Sequence, residues 1–259
     1  MRADIYIFER GYTESRQSAK NLILSGSVFL DGKSISKPSA DIDNSVEHQI
    51  RIVADVCPYV SRGGLKLEGA ISSFQLAVEG KNALDIGAST GGFTDCLLQH
   101  GAVHVWAVDS GSCQLHRKLR GDPRVTVMEN TNARYLSPAD FPLKFDLITL
   151  DVSFISQALI LPSVAALLAS DGKYIALIKP QFEVGRENVG KNGIVKGEKL
   201  HRLAVKRVVS AAAELGLVCT GLALSPIKGG DGNVEFLSVF ERHGYSYPID
   251  SFFREVNKA

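Results

Sequence analysis

Four residues of this chain stand at the ends of short apolar runs, where a side chain can meet a ligand: Asp85, Asp109, Asp151 and Lys179. The first two lie in N-A-L-D-I-G-A-S-T-G-G-F-T-D-C-L-L-Q-H-G-A-V-H-V-W-A-V-D-S-G, residues 82 to 111. This stretch reads as a strand ending in Asp85, a loop of small residues and a helix from about Phe93 to His100. Gly101 stops the helix, and a second strand, Val103 to Val108, leads to Asp109. Such a unit is half of a nucleotide-binding α/β sheet. Its glycines let the backbone approach a ligand, and an acid after the second strand can hold a ribose diol. The pattern D-x-G-x-x-x-G-G is not the dinucleotide fingerprint G-x-G-x-x-G, and an acid beside a pyrophosphate would repel it.

Acid, glycine loop and second acid suit a cofactor carrying an amine and a ribose, such as S-adenosylmethionine. They point to a methyltransferase-type core. Asp85, Gly87, Ser89, Gly91 and Phe93 are expected around the methionine part, Asp109 on the ribose and Asn132 near the adenine. The alternative is a doubly wound domain whose glycines serve only helix–strand packing.

Ligands of open α/β sheets sit outside the carboxyl ends of the parallel strands, so Asp151 and Lys179 share an edge with Asp85 and Asp109. The tight loop P-I-K-G-G-D-G-N (226–233) makes the strand after it antiparallel and brings Glu235 to the same edge. Lys66 falls on the first turn of a helix, from about Gly64 to Phe74, that Ser61 would cap. A lysine there opposes the helix dipole, which hints at a site. Lys66, Asp151, Lys179 and Glu235 could thus converge beside the cofactor. A lysine can draw the proton from a ribose 2′-hydroxyl while carboxylates orient it, and alignment with the methyl group supplies much of the remainder. A structural salt-bridge cluster would have the same composition.

Absences narrow the chemistry. D-V-S-F (151–154) stands where an Asn-Pro-Pro-aromatic segment would hold an exocyclic base amine, and no Pro-Cys nucleophile is present. Cys96, His100 and His104 straddle the helix break at Gly101, and no metal site is expected.

Further strands are expected at 125–128, 145–150, 173–178, 217–224 and 234–240, with helices at 157–168 and 197–215. The fold class is therefore α/β, with a Rossmann-like seven-stranded sheet covered on both faces. The basic, glycine-rich segment 182–197 reads as a long loop, either closing over RNA at the site or simply solvated.

At 259 residues the chain accommodates one such domain and a small second one. A net charge of +1 gives no compositional argument for nucleic acid. Cys57, Cys96, Cys113 and Cys219 form no C-x-x-C pair, which fits reduced cytosolic thiols. No signal peptide is visible, and the longest apolar stretch, 158–169, is too short for a bilayer and contains Pro162. A cytoplasmic protein without a membrane partner is expected.

Residues 1–56 read as a unit of their own, 57–62 as a linker and 63–259 as the methyltransferase domain. Ile5, Tyr6 and Phe8, then Ala19, Leu22 and Ile23, have helical spacing around Gly11. Thr13 or Ser15 caps the second helix, which should end near Ser25-Gly26. A hairpin turns at Asp31-Gly32, and a last strand runs from His48 to Val53. Arg16 and Lys20 share a helix face that Arg2, Arg10, Lys33 and Lys37 could extend. Eight acids balance eight bases over residues 1 to 62, however, so a solvated face is also open. The series Arg2 with Asp4, E-R-G (9–11), S-R (15–16), Lys20, L-I-L-S-G (22–26), V-F-L-D-G-K (28–33) and K-P (37–38) resembles the RNA-binding module of ribosomal small-subunit protein four. That resemblance implies a small α+β domain that grips structured RNA through these six bases.

The segments S-R-G-G-L-K-L (61–67), D-I-G-A-S-T-G-G-F-T-D-C-L-L (85–98), V-D-S-G (108–111), L-D-V-S-F-I-S (150–156), I-K-P-Q-F-E (178–183) and G-G-D-G-N-V-E-F-L (229–237) are similar to those of the TlyA family. Its members, often labelled haemolysin A, join such an RNA-binding domain to an FtsJ-like methyltransferase. The resemblance implies 2′-O-methylation of cytidine in ribosomal RNA from S-adenosylmethionine. It implies a Lys-Asp-Lys-Glu tetrad at Lys66, Asp151, Lys179 and Glu235. Ribosomal subunits are the implied partners, the large one favoured because the chain looks like the family's shorter class. Tyr59 in C-P-Y-V (57–60) stands where some relatives have tryptophan. A ribosome-binding assembly factor with a vestigial site, or a membrane-acting haemolysin, are the competing functions.

Overall fold

The computed structural model describes residues 1–24, 27–52, 57–229 and 232–256. The expected helix end at Ser25-Gly26, the strand end at Val53 and the loop residues Gly230 and Asp231 lie outside these. The chain divides into two compact units, Met1–Pro58 and Tyr59–Ala259.

The first unit holds helices α1 (Ala3–Glu9) and α2 (Arg16–Leu24) and strands β1 (Val28–Leu30), β2 (Lys33–Ser34) and β3 (Ile50–Ile52). Ser15 Oγ accepts the Ser18 amide at 3.1 Å, so Ser15 rather than Thr13 caps α2. Asp31 and Gly32 both have positive φ (48° and 79°), the geometry of a two-residue hairpin between β1 and β2. Ala3, Tyr6, Ile7, Ala19, Ile23, Val28 and Ile42 make its core. Phe8, expected on the apolar stripe, is instead 40% exposed, because the buried face of α1 runs through Ala3, Tyr6 and Ile7.

The second unit follows the order α3 (Gly63–Phe74), β4 (Asn82–Ile86), α4 (Gly92–Gln99), β5 (His104–Val108), α5 (Arg117–Arg120), β6 (Val125–Met128), β7 (Phe145–Leu150), α6 (Leu161–Leu167), β8 (Leu168–Ile178), α7 (Pro180–Glu183), α8 (Glu198–Ala213), β9 (Val218–Leu224), β10 (Phe236–Glu241) and α9 (Ile249–Val256). Its seven-stranded sheet has the order β6-β5-β4-β7-β8-β10-β9. Strands β6, β5, β4, β7 and β8 are mutually parallel, and β10 pairs antiparallel with both β8 and β9. That reversal starts β10 at the edge where the parallel strands end.

Several boundaries differ from expectation. Strand β8 begins at Leu168, before the expected Lys173, and its register against β7 shifts between Phe145 and Leu147. Gly172 permits this, since a Cβ there would stand 2.7 Å from the Phe145 carbonyl oxygen. The expected linker is partly folded into the second unit. Tyr59 is buried, with its ring in the space a Gly64 side chain would need, and the Val60 amide donates to Asp95 Oδ2 at 2.9 Å. Arg62, not Ser61, is the N-cap of α3, without a side-chain cap, although the Ser61 carbonyl accepts the Gly64 amide. Segment 182–197 carries single 3-10 turns at Arg186–Asn188 and Lys191–Gly193 and is pinned rather than loose. Asn233 Oδ1 accepts the Val195 amide at 2.9 Å, and Asn233 Nδ2 donates to the Gly193 carbonyl at 2.9 Å. Helix α9 was not expected, although Ile249, Phe252, Phe253 and Val256 stand at i, i+3, i+4 and i+7, the period of an amphipathic helix. Both rings are buried beside Phe236.

Candidate active site

The loop between β4 and α4 borders a cavity of about 510 Å³ lined by Gly87, Ser89, Asp109 and Asn132 among others. Gly87 has φ 84°, and a Cβ there would stand 2.4 Å from the Asp151 carbonyl oxygen, so this position accepts no side chain. Asp109 orders the loop. Its Oδ2 accepts the Ser89 amide at 2.8 Å and its Oδ1 the Gly111 amide at 2.7 Å. A carboxylate oxygen accepts more than one bond, so acceptor capacity remains. Asn132 Oδ1 caps the short turn at Ala133–Tyr135 through the Arg134 amide.

Glu129, which sequence reasoning missed, holds the loop whose Gln114 lines this cavity. Its carboxylate accepts the amides of Cys113, Gln114 and Leu115 at 2.8, 3.0 and 3.2 Å and pairs with Arg120 at 2.6 Å. Burial opposes ionisation there, yet these donors hold the carboxyl down at about 2. Its only sequence signal is an acid one residue beyond an apolar run.

Three expected cofactor residues sit elsewhere. Asp85 is fully buried, because β4 runs one residue past it and turns its carboxylate onto the face covered by α4. Thr94 Oγ1 donates to Asp85 Oδ2 at 2.6 Å and Thr149 Oγ1 to Oδ1 at 2.9 Å. Desolvation raises its pKa to about 6 against those two hydrogen bonds. Gly91, at φ 95°, lines neither this cavity nor the neighbouring one. Leu119 Cδ1 occupies the place of its missing Cβ, so this glycine serves packing. Phe93 is nearly buried and borders a neighbouring cavity, not the one beside Asp109.

That neighbouring cavity, of about 340 Å³, shares Gly87, Ser89, Asp151 and Ser153 with the first and adds Lys66 and Lys179. Lys66 lies on the buried stripe of α3 with Leu67 and Ala70, and its Nζ donates to Glu235 Oε2 at 2.6 Å. Both side chains are nearly buried, 11% and 2% exposed. Lys179 Nζ lies 2.5 Å from Asp151 Oδ1, off the line of a hydrogen bond, and donates to Ser153 Oγ at 3.0 Å. Strands β7 and β8 end side by side, which sets Asp151 beside Lys179. Strand β10 begins at Phe236, two residues later than expected, and Glu235 just before it is set against α3. Lys66, Asp151 and Lys179 therefore line one cavity, and Glu235 is paired with Lys66.

A buried clamp joins the two loops. Glu183, after Lys179, accepts Ser156 Oγ at 2.7 Å and the Gln157 amide at 2.9 Å, both in the segment after Asp151. Burial raises its pKa. Phe154, on the same segment, is 92% exposed at φ 66° and borders the larger cavity.

In the first unit, Arg2, Arg10, Arg16, Lys20, Lys33 and Lys37 are all exposed. Arg2 and Arg16 converge on the buried Asp4, at 2.9 and 3.0 Å, and Arg10 lies over the Tyr6 ring. Hydrogen bonding from Arg2, then from Arg16 against burial, lowers the Asp4 pKa to about 2. Among the described residues no group of three or more metal-ligating side chains occurs, and no helix is long and apolar enough to cross a membrane.

The chain is similar to known proteins over its whole length. It is 47% identical over 264 aligned residues to YqxC of Bacillus subtilis (strain 168), by its name an inferred rRNA methyltransferase, covering 100% of this chain and 93% of that one. It is 44% identical over 236 residues to the 16S/23S rRNA (cytidine-2′-O)-methyltransferase TlyA of Mycobacterium tuberculosis, covering 91% and 87%. A solved structure of an inferred hemolysin from Streptococcus thermophilus superposes with a TM-score of 0.79 at 42% identity, covering 100% and 96%. The model of the FtsJ-like methyltransferase family matches residues 59–242. The chain belongs to the FtsJ-like methyltransferase family.

Proposed function

We propose that the chain methylates the 2′-hydroxyl of cytidine in ribosomal RNA, with S-adenosylmethionine as donor. The observation that carries this reading is the meeting of the Lys66–Glu235 and Lys179–Asp151 pairs at a cavity continuous in its lining with the one bordered by the glycine loop.

The larger cavity suits the cofactor in size and polarity. Its volume of about 510 Å³ is that of a small-molecule site, Gly87 leaves room for close approach, and Asp109 retains acceptor capacity for a diol. Asp109 would hold the ribose, Asn132 would border the adenine, and Gly87 with Ser89 the methionine end. When bound, S-adenosylmethionine supplies an electrophilic methyl group on sulfur.

The residues of the neighbouring cavity act on the nucleophile. Lys179, in its amine form, accepts the proton of the 2′-hydroxyl, so that the oxygen is free to take the methyl group. Asp151 and Ser153 fix the Lys179 nitrogen, and Asp151 stabilises the ammonium that forms. Lys66, held by Glu235, steadies the charge building on the 2′-oxygen. The Glu183 clamp keeps the loops of Asp151 and Lys179 in mutual register. The exposed ring of Phe154 offers a flat face to a base brought to the site. The first unit would bind structured RNA through Arg2, Arg10, Arg16, Lys20, Lys33 and Lys37. Cytoplasmic ribosomal RNA, that of the large subunit first, is the proposed target.

The test incubates radiolabelled S-adenosylmethionine with unmodified small and large ribosomal subunits, wild type beside Lys179→Ala. Label in RNA from the wild type alone, mapped to a cytidine ribose, is the expected result. Absence of label despite measured cofactor binding would overturn the reading and favour a ribosome-binding factor with a vestigial site.

A further inference from the structure

The charges of the reaction cavity cancel where chemistry is expected. Lys66 is paired with Glu235 and Lys179 with Asp151, so the four contribute no net charge as ion pairs and a net negative charge when Lys179 takes its amine form. A nucleotide entering there carries a phosphodiester on each side of its ribose. Bringing two anions to an electrically balanced cavity needs other cations, because desolvated phosphates are costly without partners.

Two such cations line the same cavity: Arg62 and Lys228. Both are exposed, and neither side chain has an ion pair or hydrogen bond with another described residue. Both are well anchored at the backbone. Arg62 is the N-cap of α3, whose first turn carries Lys66. Lys228 precedes Gly229, whose amide donates to the Asn233 carbonyl at 3.0 Å. The Ser225 amide donates to the Glu235 carbonyl at 2.9 Å, and Ser225 Oγ donates to the Ile227 carbonyl at 2.7 Å. A Cβ at Gly69 of α3 would meet the Pro226 ring at 3.0 Å, so the Lys228 loop lies against this helix. The Lys66–Glu235 pair ties the same two elements from below. Arg62 and Lys228 are thus carried by the pieces that also carry half of the tetrad. The positive end of the α3 dipole, at Gly63 in the cavity wall, adds to the attraction for an anion.

We propose that Arg62 and Lys228 form an anion subsite for the two phosphodiesters flanking the reactive ribose, one cation for each. This rests on the reading of the chain as an RNA 2′-O-methyltransferase. The subsite places the target nucleotide; it touches neither the cofactor nor the transferred methyl group. Its loss therefore falls on RNA binding rather than on turnover of bound RNA.

The test measures steady-state methylation of ribosomal subunits by full-length wild type, Arg62→Ala, Lys228→Ala, the double variant, Arg62→Lys and Lys228→Arg, over a range of salt concentrations. Each alanine variant should raise KM for RNA about tenfold, the discrimination that one charged hydrogen bond supplies, with kcat within about twofold of wild type. The slope of log affinity against log salt should fall by about 0.7 for each lost phosphate contact. Charge-conserving variants should restore both, and cofactor affinity should not move in any variant. An active wild type with unchanged KM and salt slope in the alanine variants overturns the subsite alone. So does a fall in kcat at unchanged KM. An inactive wild type overturns the methyltransferase reading and the subsite with it.

Discussion

The Lys66–Glu235 pair is both buried and placed at the reaction cavity, and a single substitution cannot separate the two roles. Replacing Lys66 with methionine keeps most of the volume and removes the charge. Glu235, 3% exposed, then keeps its desolvation and loses its partner at 2.6 Å. Breaking one side of a buried pair costs about 3–5 kcal/mol. In a domain of this size each kcal/mol moves Tm by about 2–4 °C, so Lys66→Met should melt roughly 6–20 °C below wild type. Adding Glu235→Gln turns the stranded carboxylate into a neutral amide, which is far cheaper to bury, and should recover most of that loss. Thermal and urea unfolding read the stability of the wild type, both single variants and the double, and methyl transfer to ribosomal RNA reads function. The expected double variant is folded, binds S-adenosylmethionine and transfers no methyl group. Wild-type stability in Lys66→Met would refute the energetic argument. Wild-type turnover in the double variant would show that the pair only holds α3 to the sheet.

Two further outcomes follow from the same geometry. Burial raises the folded-state pKa of Asp85 to about 6, above the ordinary 3.8 of an aspartate, so the folded protein favours its neutral form. The stability difference is fully present below about pH 4 and lost as pH rises through 6. It amounts to about 3 kcal/mol and is read as the pH-dependent part of urea unfolding that Asp85→Asn removes; parallel profiles for the two proteins would contradict it. Gly87→Ala would place a methyl 2.4 Å from the Asp151 carbonyl at a φ of 84° and should weaken cofactor binding at least tenfold by calorimetry; unchanged affinity would mean that the loop yields freely.

Most of the fold was legible because parallel strands buried on both faces are continuous apolar runs. The expected bounds of β6 and β7 match the structure residue for residue, and those of β4, β5 and β9 differ by about one. The reversed last strand was legible from the short loop before it, and this carried Glu235 to its place. What stayed illegible depends on direction rather than position. Asp85 and Asp109 both follow apolar residues near a strand end, yet one residue of extra strand turns Asp85 inward while Asp109 stays at the cavity. Gly87 and Gly91 share positive φ, but the first clears a carbonyl and cavity wall and the second makes room for Leu119. Glu129 and Glu183 were unreadable because, Arg120 on Glu129 aside, their partners are backbone amides and a hydroxyl, which any sequence supplies. Segment 182–197 looked loose by composition, yet the side chains of Asn233, His201 and Arg207 fasten its backbone.

The contact that closes the proposed catalytic group spans 169 positions, from Lys66 to Glu235. Domains of nascent chains fold as units and start from the N-terminus as the chain emerges. The first unit, the glycine loop, Asp151 and Lys179 can all be laid down before the last hairpin of β9 and β10 exists. Glu235 arrives with that hairpin, after the other three members of the proposed tetrad. A translating ribosome therefore carries a chain that already displays its N-terminal bases but lacks the fourth member of the tetrad. The proposed tetrad is complete only when β10 takes its place between β8 and β9.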